Sequence, residues 1–257
     1  MNSVHDMSGI VAISRRTDAR ELATAAYEQL FLLLESLDAD DWVAQTDCPS
    51  WNVADMVGHL IGAGRGYSSL REFTRQQMHG LRHRKEFGGN AMDAYNALQV
   101  SEQAHLTPQQ RVDALKREAP KAVAGRMRLA PILRLVNAPV DQSGSTAPGM
   151  PVKENGGHLF EVVLTRDVWL HTVDIARAVG REPDVSAPFN TRIIEDVVAE
   201  WAKRHGQPFE LLLTGPAGGS YTQGAGGEPL SMDAVEFARM LSGRTTGAGL
   251  LATRVLF

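Results

Sequence analysis

Apolar residues recur at helical spacing along most of the chain. Leu22, Ala25, Ala26, Leu30, Leu33 and Leu34 predict a helix that Thr17 or Asp18 caps and that runs to about Leu37. After the polar connection LDADDWVAQTDCPSWN, Asn52 opens a second helix. Its apolar face is Val53, Met56, Val57, Leu60 and Ile61, and Asp55 completes a variant capping box. Residues 91–104 and 107–137 also read as helices, the latter led by Thr107-Pro108, with Pro120 and Pro131 expected to break or bend it. A strongly apolar helix spans about His158 to Val179 and stops at Gly180.

The grammar changes after REPDVSAP. One more helix covers about 188–205. FELLLT and GSYTQ then read as short strands separated by a Gly-rich turn, and a last helix begins near Ser231 and ends near Gly243. These elements predict a mainly α protein: residues 1–16 a loose arm, 17–183 a helical bundle, and 184–257 a small α+β domain. Residues 140–157, VDQSGSTAPGMPVKENGG, have loop composition and suit either a lid or a plain connection.

Composition narrows the class. Hydrophobic residues make up 43% of the 257 and charged residues 22%, enough to bury a core without disulfides. The net charge of −4 gives no general attraction for nucleic acid or anionic lipid. The short basic stretch at 82–85 lacks a helix-turn-helix setting, which disfavours a DNA-binding regulator. One cysteine, Cys48, makes no internal disulfide and suits a reducing compartment. No stretch has the length of a membrane span or the apolar core of a signal peptide, so a cytoplasmic location is expected. The apolar helix at 158–179 can be wholly internal or partly at an interface, which leaves a homodimer open.

Candidate chemistry concentrates on that helix. Asp167 and His171 are four residues apart and share a face with Phe160, Val163, Leu164 and Ile175. An acid and an imidazole in a core-facing stripe need each other or a ligand. His59 lies beside the apolar face of the second helix, three residues beyond Met56. Antiparallel packing of the two helices would bring His59 opposite Asp167 and His171. Two imidazoles and a carboxylate leave coordination positions open, as in a catalytic metal site. Zinc is the first choice, and nickel or iron accept the same donors. Ordinary alternatives stand beside this reading: a satisfied core histidine at 59, and a simple i,i+4 ion pair at 167 and 171. Asp174 is placed to hold the His171 ring from behind. Glu154 and His158 form a rival i,i+4 pair, read as a helix-entry feature. Arg65, Arg71, Arg82, Arg84 and Lys85 could draw in an anion but more simply form a solvated face. Trp51 and Trp169 could wall a pocket or fill the core.

LLLESLDADDWVAQTDCPSWNVADMVGHLIGA, with its spacing of Trp42, Cys48-Pro49, Trp51 and His59, resembles the opening of the mycothiol-dependent maleylpyruvate isomerase family. RDVWLHTVDIARAVGREPD resembles that family's metal-binding helix, and LLLTGPAGGSYTQ with DAVEFARMLSGRTTGAGLLATRVLF its small C-terminal domain. The match is thinnest over about 75–157. The resemblance implies a DinB-like four-helix bundle followed by the α+β domain, with a metal held by His59, Asp167 and His171. The isomerase has Glu where this chain has the shorter Asp167, which would draw the metal nearer that helix. Arg244 is the counterpart of an important arginine of the C-terminal domain, with Arg239 as the alternative; Cys48 is given a structural role at the helix entry.

The resemblance also implies mycothiol as thiol cosubstrate. A free thiol has a pKa near about 8.5, and coordination favours its deprotonated form. The activated sulfur would attack an electrophilic small molecule. Release of the adduct makes a transferase, the reading placed first, because only Arg244 offers itself as an anchor for a diacid. Addition, bond rotation and elimination make a cis–trans isomerase of a maleylpyruvate-like acid. A non-catalytic metal- or ligand-binding bundle is the third reading.

Overall fold

The helical spacings fold as helices, and tertiary pairing adds elements they did not announce. The computed structural model describes residues 4–14, 17–140, 150 and 152–257. Two units are distinguished, one of residues 15–145 and 152–183, the other of residues 1–14, 146–151 and 184–257.

In the first unit, α1 (Ala19–Glu35) buries Leu22, Ala23, Ala26, Tyr27, Leu30 and Leu34. A 3-10 turn at Asp40–Val43 precedes α2 (Val53–Ser68), which opens with the capping box of Asn52 and Asp55. Next come α3 (Leu70–His83), a turn at Arg84–Phe87 and α4 (Ala91–Ser101), capped by Asn90. α5 (Pro108–Leu133) starts with a Thr107–Gln110 capping box. It runs through Pro120 and Pro131 as one helix, so neither proline breaks it. Pro120 is on the exposed side, and the carbonyl its ring frees belongs to Lys116, also exposed, where water can pair it. β2 (Asn137–Pro139) and β3 (Lys153–Asn155) form an antiparallel ladder. β3 and the first residues of the helical turn after it fall inside the 140–157 stretch expected to be a lid or a connection, so its end is ordered structure rather than loop; 141–149 and 151 lie outside the described residues.

The chemistry-bearing helix has three parts: a turn, α6 (Gly156–His158); a π-helical stretch at Leu159–Val163; and α7 (Leu164–Ala178). Gly180, at φ 68, ends it and donates to the Arg177 carbonyl at 3.0 Å. α2 packs along α5 and α4, α1 along α7 and α5, and α3 against α4 and α2. A Cβ at Gly125 would sit 2.1 Å from the Tyr67 carbonyl oxygen, so only glycine lets α5 pass the end of α2 this closely.

The second unit has a four-stranded sheet in the order β1-β5-β4-β6. β1 (Val4–Asp6) pairs parallel with β5 (Gly219–Gln223), so part of the supposed loose arm is an edge strand. β4 (Phe209–Thr214) is antiparallel to β5 and parallel to β6 (Glu228–Asp233). Phe209, Leu211 and Leu213 of β4 point inward, where Trp201 of α8 (Pro188–His205) and Phe237 of α9 (Ala234–Ser242) are fully buried. The last helix starts later than Ser231, because 228–233 extend as β6 and Asp233 caps α9. The architecture is mainly α, a helical region with a smaller α+β region. No helix among the described residues is long and apolar enough to cross a membrane.

Candidate metal centre

α7 presents Asp167, His171 and Asp174 on successive turns. His171 Nε2 lies 3.2 Å from Asp167 Oδ1, and its Nδ1 lies 3.4 Å from Asp174 Oδ2. The imidazole is thus held edge-on between two carboxylates. α2 supplies His59, whose ring meets His171 edge to face at 5.6 Å and 84°. Donor atoms of His59, Asp167 and His171 all fall within 4.8 Å of one another. The capping box fixes where α2 begins and so sets the height of His59 along the helix.

Trp51, just before α2, stacks on His59 at 4.8 Å and lies 6.1 Å from His171, so it walls the cluster. Trp169 is fully buried and fills the core. His59 Nδ1 lies 2.8 Å from Gln99 Oε1 of α4. The two histidines are 7% and 4% exposed, whereas the Asp167 side chain is 26% exposed and gives the cluster its open side.

The environments drive the imidazoles apart. Burial pushes His59 down to about 4, although Asp167 opposes this, so the ring is neutral and able to coordinate. Burial would also lower His171, but Asp167 and Asp174 override it and raise the ring to about 9. A divalent cation between Asp167 and His171 would take the place of that proton. Neutral imidazole, carboxylate and partial exposure together suit such an ion.

A second trio, Cys48, His171 and Asp174, also brings its donor atoms within 4.8 Å. The structural role that the resemblance implies for Cys48 does not announce this closeness to His171, which no local sequence pattern encodes. The trio reuses His171 through its other nitrogen, where a carboxylate ordinarily orients a metal-binding ring.

A buried cation supports the approach to Asp167. Arg126 of α5 is fully buried and donates to the Phe160 carbonyl at 2.9 Å, the Leu164 carbonyl at 3.3 Å and Thr165 Oγ1 at 2.6 Å. These acceptors bracket the junction where π-helix gives way to α7. Sequence reading missed both Arg126 and Gln99; the available signal was a charged or amide residue inside an otherwise core-facing stretch.

The remaining candidates are elsewhere. Arg244 belongs to the second unit, where it is half-buried just after α9 and its N–H donates to the Arg239 carbonyl at 2.9 Å. Arg239 is buried and paired with Glu236 at 2.9 Å rather than solvated. Arg71, Arg82, Arg84 and Lys85 are exposed, and Arg65 is half-buried. Glu154 lies in β3 and His158 in α6.

The profile of the mycothiol maleylpyruvate isomerase N-terminal domain matches residues 23–176, more than half of the chain. The chain belongs to this family. No curated protein sequence matches it. Two solved structures are similar over nearly its whole length: the mycothiol-dependent maleylpyruvate isomerase and a histidine-to-alanine variant of that enzyme. Each superposes with a TM-score of 0.54 at 12% identity, covering 95% of this chain and 94% and 93% of theirs. At that identity the likeness speaks to the fold. Membership of the mycothiol maleylpyruvate isomerase family supports an enzyme with a candidate metal site.

Proposed function

We propose that this protein is a metal-dependent enzyme that uses mycothiol to attack an electrophilic small molecule, with His59, Asp167 and His171 as the metal ligands and zinc as the ion. The observation that carries the reading is the convergence of those three donors from two helices. A divalent ion there supplies a Lewis acid that favours the thiolate form of a bound thiol.

The chain's own residues do the rest. Burial keeps His59 neutral and ready to coordinate. Asp167 offsets positive charge, and Asp174 orients the His171 ring. Trp51 covers the two imidazoles and limits water on that side. Arg244 is assigned the role of anchoring an anionic group of the substrate.

Family membership favours the cis–trans isomerase of a maleylpyruvate-like acid over the transferase that the sequence put first. In that reaction the thiol adds to the conjugated carbon, the former double bond rotates, and elimination returns the thiol. The test is elemental analysis of the purified protein, then incubation of the zinc form with mycothiol and a cis-configured unsaturated diacid. A trans product with thiol undiminished supports the isomerase. A stable adduct with equimolar thiol loss supports the transferase. Metal uptake with neither outcome, across a panel of electrophiles, leaves the binding bundle and sinks the proposal.

A further inference from the structure

Behind His59 a line of buried amides crosses three helices. Gln76 of α3 and Gln99 of α4 are 3% and 2% exposed. Gln76 Nε2 lies 2.9 Å from the Gly62 carbonyl oxygen of α2 and 3.0 Å from Glu72 Oε1. Both are acceptors only, so the NH₂ of Gln76 must face them and its oxygen must face away. Gln99 Nε2 donates to that oxygen at 2.7 Å. Gln99 therefore turns its own oxygen to His59 Nδ1, 2.8 Å away. An oxygen there accepts a hydrogen bond, which places the proton on Nδ1 and the lone pair on Nε2.

The line is anchored at its outer end. Arg75 donates to Glu72 from Nε at 2.8 Å and from Nη2 at 2.5 Å, and Nη2 also reaches Glu102 at 2.8 Å. The Glu72 carboxylate is thereby held ionised and oriented, with its side chain 25% exposed. Flipping either glutamine would set oxygen against oxygen at one of these contacts. The close passage also needs glycine: a Cβ at Gly62 would lie 2.6 Å from Gln99 Cβ, and one at Gly66 would lie 2.8 Å from Gln76 Oε1.

We propose that Glu72, Gln76 and Gln99 form a positioning relay that fixes His59 as the Nδ1–H tautomer and so presents Nε2 as the ligand atom. The relay gives a directional reason for two buried glutamines that have no catalytic work of their own. It rests on the metal reading for its purpose, but its tautomer assignment stands on the hydrogen bonds alone.

The test is nitrogen-15 NMR of histidine-labelled, metal-free protein at neutral pH, paired with zinc affinity by chelator competition. Wild type is expected to show His59 protonated on Nδ1. Gln99→Met removes the acceptor, so the ring should shift toward the Nε2–H form and zinc affinity should fall about 10- to 100-fold. Gln99→Glu keeps an acceptor at Nδ1 and, with its carboxyl protonated, a donor to Gln76 Oε1, so it should retain both. If Gln99→Met fails to fold, Gln76→Met, which unsets the direction one link away, should give a mixed tautomer population. An Nε2–H ring in wild type, or a Gln99→Met protein with unchanged tautomer and affinity, overturns the relay. Wild type that shows the Nδ1–H form but takes up no zinc sinks the metal reading while leaving the tautomer assignment intact.

Discussion

Replacing Arg126 with Met keeps the length and apolar stem of the side chain and removes every donor. Two buried acceptors, the Phe160 carbonyl and Thr165 Oγ1, and the part-buried Leu164 carbonyl then lose the guanidinium donor. A buried acceptor left unpaired costs about 1–3 kcal/mol. The 3.3 Å bond to Leu164 contributes least, and the Thr165 hydroxyl can rotate. Against this, burying a guanidinium carries a desolvation penalty of several kcal/mol that Met avoids, and burial already lowers the pKa of Arg126. The balance is a local loss of about 3 kcal/mol, concentrated where the π-helical stretch meets α7. At about 1.4 kcal/mol per tenfold, amide exchange over residues 156–170 should quicken on the order of 100-fold. Hydrogen-exchange mass spectrometry of the metal-free protein reads this directly. Arg126→Lys should fall between, since an ammonium cannot span three acceptors in a plane. Exchange in that segment within about threefold of wild type, or acceleration spread evenly over α1 to α5, would refute the idea that Arg126 holds the junction.

Two further outcomes follow from the cluster. Cys48→Ser should leave zinc affinity unchanged, because the ion is assigned to His59, Asp167 and His171; loss of a sulfur-to-metal band in the cobalt form on making this change would move the ion to Cys48, His171 and Asp174. In the metal-free protein His171 is raised to about 9 while His59 is lowered to about 4, so between pH 5 and 9 one proton leaves on metal uptake. Apparent zinc affinity should therefore climb about tenfold per pH unit across that window, and a flat profile in calorimetry would count against the assignment. The same shift has a stability sign: the His171 contribution is fully present below its unfolded value of 6.5 and is lost as pH rises through about 9, which thermal melts of the apo protein should show.

What the sequence disclosed depended on how local its cause was. The Asn52–Asp55 box, the Thr107-Pro108 start, Gly180 and the alternation in FELLLT are decided within a few residues, and the structure has each where expected. His59, Asp167 and His171 were legible because polar groups interrupt apolar stripes. α3 was not, since its few apolar residues are thinly spread among Arg, Gln and His, Leu70, Met78 and Leu81 are exposed, and only Gln76 and Gly80 are buried. β1 is three residues long and exists through its pairing with β5, more than 200 positions away, which no local pattern encodes. Gln99 and Arg126 stand out in the sequence only as polar residues within core-facing stretches, and their partners are set by helices far away along the chain. The π-helical stretch has no sequence mark beyond apolar continuity, and Cys48 comes near His171 by chain reversal before α2.

The parallel pairing of Val4–Asp6 with β5 also makes the α+β unit discontinuous in sequence. Its first strand leaves the ribosome before the whole helical unit, and its remaining strands follow after it. The sheet can close only late in synthesis, around an inserted domain that has had time to fold. A fragment cut at residue 184 would carry β5 with one bare edge, a template for pairing with other chains. Dissection of the two units should keep residues 1–14, whose Ile13 N–H donates to Asp196 Oδ1 at 3.2 Å, with the last seventy or so, through a short designed linker, rather than cut the chain once.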